Sequence, residues 1–303
     1  MLQGVNSFDV FDLDGVRVYL LGEIHSLGRP EPNGCDTGLD VSAFLQFLAQ
    51  KHKSVVEVYL EASLMRAQRQ FSPMVQFGER YRKCIETGQA CLPNVHINSS
   101  DVRLMARGKG QSLDPLTRLS LILLEEPEKL NQPHNIVYAM WAMELDLPLP
   151  NTVFQMMETL FTASPETVQL QIQNTAYFKL ASEMGLGDVN FIWRITLELV
   201  GVLPELRTKI RDYFTKQYFP PEVMSFPDHT QDLWYVLKYN TAVFWMDLFI
   251  IARMMNRLAD VNVVYGGSNH TSNISRFFEQ QYPGYRVGKH QYSAIKCIDI
   301  TKI

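Results

Sequence analysis

Short apolar runs that read as strands gather at the two ends of the chain, and longer stretches with helical spacing fill its middle. The opening "FDVFDLDGVRVYLL" sets Asp14-Gly15 between two strand-like runs, a dipeptide favoured in tight two-residue turns. The second run, Val16 to Leu21, is continuously apolar from Val18, as expected of a central strand covered on both faces. After the polar loop "SLGRPEPNGCDTG" a helix is predicted from about Asp40, with Ala43, Phe44, Phe47 and Leu48 on one face. "SVVEVYLEA" then reads as a strand over 54–60, rich in Val and Tyr. Strand, helix and strand in this succession form a βαβ unit, which makes the two strands parallel.

A second helical stretch covers about 64–86, interrupted near Pro73, and a short strand follows at about 94–98. From Pro115 to Asp260 nearly every segment carries apolar residues three and four apart, as in "TVFQMMETLFTA" and "LRTKIRDYFTKQ". Strand pattern resumes at 261–265, a helix follows at about 271–281, and "YSAIKCIDI" closes the chain as an alternating strand. The expected fold is α/β, with a mostly parallel central sheet built from both chain ends and flanked by helices. Residues 1–113 and 261–303 would form this core, and 114–260 an all-helical insertion or lid the size of a small domain.

Charge and composition narrow the function. Lys plus Arg number 28 against 32 Asp plus Glu, and no basic cluster exceeds "RYRK" at 80–83, so nucleic acid is not an expected partner. The longest apolar run, 241–255, is broken by Asp247 and Arg253 and is too short for a membrane span. The N-terminus has no basic region followed by an apolar core, so no signal peptide is expected. None of the four cysteines, Cys35, Cys84, Cys91 and Cys297, forms a CxxC pair. They read as mostly reduced thiols, which fits a cytoplasmic or otherwise reducing setting.

Candidate chemistry lies at the strand exits. Strand 16–21 runs into Gly22, Glu23 and His25; strand 54–60 into Glu61; strand 94–98 into Ser99, Ser100, Asp101 and Arg103; and strand 261–265 into Gly266, Gly267, Ser268, Asn269 and His270. Ligands of open parallel sheets bind outside the carboxyl ends of the strands, so neighbouring exits would bring these groups to one edge. The first and last exits share Gly-x-x-His, Gly22 to His25 and Gly267 to His270. With 17 Gly and 7 His, chance supplies roughly 0.4 such spacings, so two copies after apolar strands stand out. The glycine would allow a sharp turn at positive φ, and the histidine would open the next segment.

Each candidate also has an ordinary reading. His25 and His270 could bond only to backbone, His270 in a helix capped by Ser268 or Asn269. Glu23 could be solvated, Arg103 could pair with Asp101, and Glu57 competes with Glu61 but lies inside its strand. His52, His96, His134, His229 and His290 lack a partner at useful spacing and read as structural, and Asp247 on its apolar helix calls for a buried partner or a groove rim.

Paired Gly-x-x-His motifs after the first and last core strands, with an acid after the second and an arginine after the third, resemble the Tiki/TraB superfamily. That grouping includes erythromycin esterases, ChaN-like haem-binding lipoproteins and Tiki proteases. "LLGEIHS" and "YGGSNHT" are similar to its histidine motifs, and "VYLEA" and "DVR" to its acidic and arginine positions. Similar short proteins also occur in large DNA viruses, which the resemblance extends to a viral, virion-associated setting. The helical middle lies outside the resemblance.

The resemblance implies a hydrolase that activates water for cleavage of a peptide or ester bond. Glu23, His25, Glu61, Arg103 and His270 become the catalytic set, with Glu23 as general base and Arg103 stabilising the oxyanion. A divalent metal (Mn, Co or Zn) would sit on His25, His270 and Glu61. In a metal-free variant His25 is the base, oriented by Glu61. The rival expectations are a haem, iron or small-ligand binding protein on the same fold, and a non-catalytic structural protein.

Overall fold

A computed structural model describes residues 1–24, 38–62, 72–87, 92–100, 161, 164, 198–218, 242–256, 259–293 and 297–300. The chain divides into two compact units, Met1–Asp101 with Arg257–Ile303, and Val102–Asn256. In the first, strands β1 (Leu2–Gln3), β2 (Ser7–Leu13) and β3 (Val16–Glu23) precede helix α1 (Val41–His52) and strand β4 (Val56–Leu60). Helix α2 (Pro73–Glu86) and strand β5 (Val95–Ser99) follow. In the second unit, the described helices are α3 (Pro204–Tyr218) and α4 (Ala242–Met255). The chain returns to the first unit with β6 (Val261–Gly267), α5 (Ser268–Gln281), β7 (Gln291–Tyr292) and β8 (Cys297–Ile298).

The main sheet has six strands in the order β5-β4-β6-β3-β2-β7. The four strands β5, β4, β6 and β3 are mutually parallel, whereas β2 pairs antiparallel with both β3 and β7. The sheet is therefore mixed, not mostly parallel as expected. A two-residue turn can join only antiparallel neighbours, and Asp14-Gly15 supplies one, with φ of 53° and 91°. β3 and β4 are parallel as the βαβ reading requires, but β6 from the far end of the sequence lies between them.

Residue alternation gives this sheet two distinct faces. Tyr19 and Leu21 of β3, Val56, Val58 and Leu60 of β4, and Val261, Val263 and Tyr265 of β6 pack into one core with α1 and α2. The intervening residues face α5, where Phe278 stacks on Phe11 of β2 at 5.1 Å. On α1 the buried stripe is Val41, Phe44, Leu45, Leu48 and Ala49. Phe47, expected inside, is 45% exposed and lies under the Lys51 ammonium. Ala43, also expected on that face, is exposed as well, so the buried stripe lies one position further along the helix than expected.

Helix boundaries follow local capping. Asp40 caps α1 through the Ala43 N–H at 2.8 Å. Pro73 does not interrupt a helix; it starts α2 directly after the N-cap Ser72, where its missing N–H costs nothing. The closing segment, expected as one strand, is two short ones: β7 joins the main sheet and β8 pairs with β1.

In the second unit, α3 and α4 contribute a buried apolar set that includes Ile210, Phe214, Phe249 and Ile250. Arg253 of α4 pairs with Glu198 at 2.8 Å. Asp247 is completely buried, so the groove-rim alternative does not apply to it. Cys297 is disulfide-bonded and Cys84 is free. The cysteines, expected to be mostly reduced, thus include at least one that is bridged, which sequence spacing alone does not reveal. Among the described residues no helix is long and apolar enough to cross a membrane.

Candidate functional site

The parallel strands end together, which brings their exits to one edge. Gly22 is level with Gly266 and Glu23 with Gly267 across β3 and β6. Leu60 is level with Tyr265 on one side and Ser99 on the other. Beyond β4, the Glu61 N–H bonds the Tyr265 carbonyl at 3.0 Å, which extends the ladder by one residue.

Glu61 faces the α5 side. Its Oε2 accepts the N–H of Gly267 at 2.6 Å, and its Oε1 lies 3.4 Å from His270 Nε2. Both side chains are buried. Gly267 is the N-cap of α5 and no side chain caps the helix from within, so neither Ser268 nor Asn269 fills the expected role. The Glu61 carboxylate takes the N-cap residue's own N–H instead. Negative charge is favoured at a helix N-terminus, which offsets part of the cost of burying it. His270, the third residue of the helix, then sits against the same carboxylate.

Glu23 faces the opposite side. It is 1% exposed, and its Oε2 accepts from Ser72 Oγ at 3.0 Å and from the Met74 N–H at 2.9 Å. Ser72 in turn accepts the Val75 N–H. The carboxylate therefore anchors the start of α2. The Tyr265 hydroxyl donates to the Gly4 carbonyl at 3.4 Å and lies near the Glu23 charge. Full burial, and then the Glu23 charge, hold this phenol protonated well above its ordinary value. The two acids expected to share one site thus serve two helices on two faces of the sheet.

The glycine of the first motif has a different purpose from the one expected. Gly22 is not among the positive-φ residues; it is an extended strand residue paired with Ser7. A Cβ there would stand 2.1 Å from Ser7 Oγ, 2.5 Å from Thr271 Oγ1 and 3.3 Å from the Ser268 Cα. Gly22 is the seat on which the first turn of α5 rests. Gly267 likewise has φ of −60°, within the range open to any residue.

Asn6 was not foreseen. It is buried, and its Oδ1 accepts the Ile24 N–H at 2.8 Å while its Nδ2 donates to the Ser293 carbonyl at 3.0 Å. It ties the chain leaving β3 to the C-terminal segment. The Ser72-Pro73 pair was a readable helix start, but nothing local links it to Glu23, and nothing local marks Asn6.

His25, Arg103 and Asp101 lie outside the described residues, as do His134 and His229. The remaining histidines have identifiable partners. His96 Nδ1 lies 3.3 Å from Glu57, which also accepts from Asn98 at 2.5 Å. Glu57 itself is buried. His52 meets the Tyr19 hydroxyl at 3.4 Å, and burial with the neighbouring Lys51 lowers its pKa. His290 pairs with Asp9 at 2.8 Å. Among the described residues, no three His, Cys, Asp or Glu side chains come together as a metal-binding group. Comparison of the chain with protein-family models, curated proteins and solved structures finds no match.

Proposed function

We propose that the chain is a hydrolase of the Tiki/TraB type, acting on an ester or peptide bond at the carboxyl edge of the parallel strands. The observation that carries this reading is the buried Glu61–His270 pair at the N-terminus of α5. A carboxylate that holds one ring nitrogen orients an imidazole and stabilises the cation it becomes on taking a proton. Glu61 is itself fixed by the Gly267 N–H, so the base is held through a chain of two contacts. His270 takes a proton from water as the water attacks the carbonyl carbon, and returns it to the leaving group. The positive end of α5 favours the negative charge that develops on the carbonyl oxygen. Arg103 keeps the oxyanion role that the resemblance gives it. Glu23 is assigned to anchoring α2 and not to proton transfer.

The resemblance also implies a divalent metal. Two atoms each about 2.1 Å from one ion at a tetrahedral angle stand about 3.4 Å apart, and Glu61 Oε1 and His270 Nε2 have that separation. These two donors fit such an ion, and the resemblance gives His25 as the third. When bound, the ion would act as a Lewis acid and lower the pKa of a coordinated water.

The test is hydrolysis of p-nitrophenyl acetate and of a fluorogenic peptide mixture by the full chain, with metal content measured on the same samples. Glu61→Gln and His270→Ala should each lower turnover about 100-fold or more while the circular dichroism spectrum is kept. Wild-type protein inert on both substrate classes, or unchanged activity in both variants, would overturn the proposal.

A further inference from the structure

Asn6, directly before β2, grips the edge with both its backbone and its side chain. Its N–H donates to the Gly22 carbonyl at 2.7 Å, and its Oδ1 accepts the Ile24 N–H at 2.8 Å. These two bonds hold the peptide groups on either side of Glu23. On its other flank the Asn6 carbonyl accepts the Ser293 N–H at 2.7 Å, and Nδ2 donates to the Ser293 carbonyl at 3.0 Å. Asn6 is 1% exposed, so water does not stand ready to replace a bond that is lost.

The residue type follows from this arrangement. One end of the side chain must accept while the other donates, and an amide supplies both. Aspartate has the same shape but would set an oxygen against the Ser293 carbonyl. The bonds also lead to the site. Gly22 is the seat of α5, and the Ser268 Cα stands 3.3 Å from the place of a Gly22 Cβ. His270 belongs to the same first turn and faces Glu61 at 3.4 Å. Asn6 thus fixes the strand end on which the Glu61–His270 pair is set. A misplacement of about 1 Å can slow a catalysed step about 100-fold, even when its origin is remote from the reacting groups.

We propose that Asn6 is a positioning residue of the hydrolytic edge, and that through it the C-terminal segment at Ser293 supports that edge. Its effect on rate rests on the hydrolase reading given above. Freeing the C-terminal segment at Ser293 would slow the reaction without altering Glu61 or His270.

The test compares Asn6→Ala, Ser293→Pro and Asp40→Ala in the full chain. Ser293→Pro deletes the N–H that the Asn6 carbonyl accepts. Asp40→Ala removes the N-cap of α1, on the other face of the sheet, and is the control for lost stability alone. Urea unfolding sets conditions at which each variant is folded. Asn6→Ala should lower kcat about tenfold or more with KM within about twofold, and Ser293→Pro should lower kcat about threefold or more. Asp40→Ala should change neither constant. In proton–nitrogen NMR spectra of the histidine rings, the His270 signals are identified by their loss in His270→Ala. They should move by more than a linewidth in Asn6→Ala and stay in place in Asp40→Ala. Unchanged kcat, or unmoved His270 signals, in folded Asn6→Ala would overturn the proposal. So would an equal fall in kcat in Asp40→Ala. If Asn6→Ala does not fold, the same readouts on Ser293→Pro decide. If the wild type is inert on both substrate classes, the hydrolase reading falls, and the His270 signals decide whether Asn6 positions the pair.

Discussion

Replacing Gly22 by alanine tests the central feature of the edge, the seating of α5 on β3. The added Cβ would meet Ser7 Oγ at 2.1 Å and Thr271 Oγ1 at 2.5 Å. Ordinary contact begins near ~3.5 Å, so each neighbour must retreat by about 1 Å or more. The two hydroxyls can rotate, but the Ser268 Cα at 3.3 Å belongs to the helix backbone and cannot. Overpacking of this kind costs about 1–3 kcal/mol. Turning Thr271 away also disturbs its bond to the Ser268 carbonyl at 3.2 Å, a bond worth about 0.5–1.5 kcal/mol. Alanine restricts the unfolded chain and returns about 0.4–1 kcal/mol. The net loss is about 2 kcal/mol, roughly a 1 M fall in urea midpoint for a slope near ~2 kcal/mol/M. Urea unfolding followed by circular dichroism measures it. In a Ser7→Ala/Thr271→Ala background the two closest contacts are gone, and the cost of Gly22→Ala should fall by more than half. An equal cost in both backgrounds would refute the steric account, and no cost in either would refute the seating itself.

Three further outcomes follow from the same geometry. Glu23→Ala should cost about 2–4 kcal/mol, from lost charge-assisted bonds and a cavity; hydrogen exchange should show fraying concentrated in the first turn of α2. Tyr265 is held protonated above its ordinary value near 10, so its contribution to stability is present below pH 10 and lost as pH rises beyond it. Tyr265→Phe should therefore flatten the alkaline limb of a stability-versus-pH curve. His52 has the opposite sign: its lowered pKa makes the unfolded chain bind the proton first, so stability is lost as pH falls below about 6.5. His52→Gln should remove that part of the acid limb.

The central strand β3 was legible because it is covered on both faces and reads as an unbroken apolar run from Val18 to Leu21. The hairpin was legible because Asp14-Gly15 suits only a few turns. The sheet order was not, since β6 enters between β3 and β4 through contacts remote along the chain. For the site, strand exits told which residues reach the edge but not which face they take. Face is set by alternation counted back from the core, and Glu23 shares its parity with Leu21 while Glu61 shares its parity with Glu57 and Tyr59. That count was available in the sequence. Its meaning was not, because α2 and α5 had to be assigned to opposite faces first. Asn6 and Ser72 escaped notice because their partners are distant in sequence and their residue types are ordinary in turns and caps.

The seating of α5 gives the two Gly-x-x-His motifs a physical connection that spacing alone does not provide. Gly22 belongs to the first motif, and the residues it accommodates, Ser268 and Thr271, flank the histidine of the second. The first motif's glycine therefore controls how closely the second motif's histidine can approach the sheet. Because β3 and β6 are neighbours, this coupling does not depend on what the chain does between them. Loop-closure cost rises only slowly with length, by about 0.6 kcal/mol per doubling. A long segment can therefore separate the motifs at little expense to the edge. Substitutions at Gly22 and Thr271 should therefore be strongly non-additive, because the two side chains compete for one space. Additive costs of Gly22→Ala and Thr271→Ala in a double-mutant cycle would mean that the two motifs meet at this edge without being coupled through it.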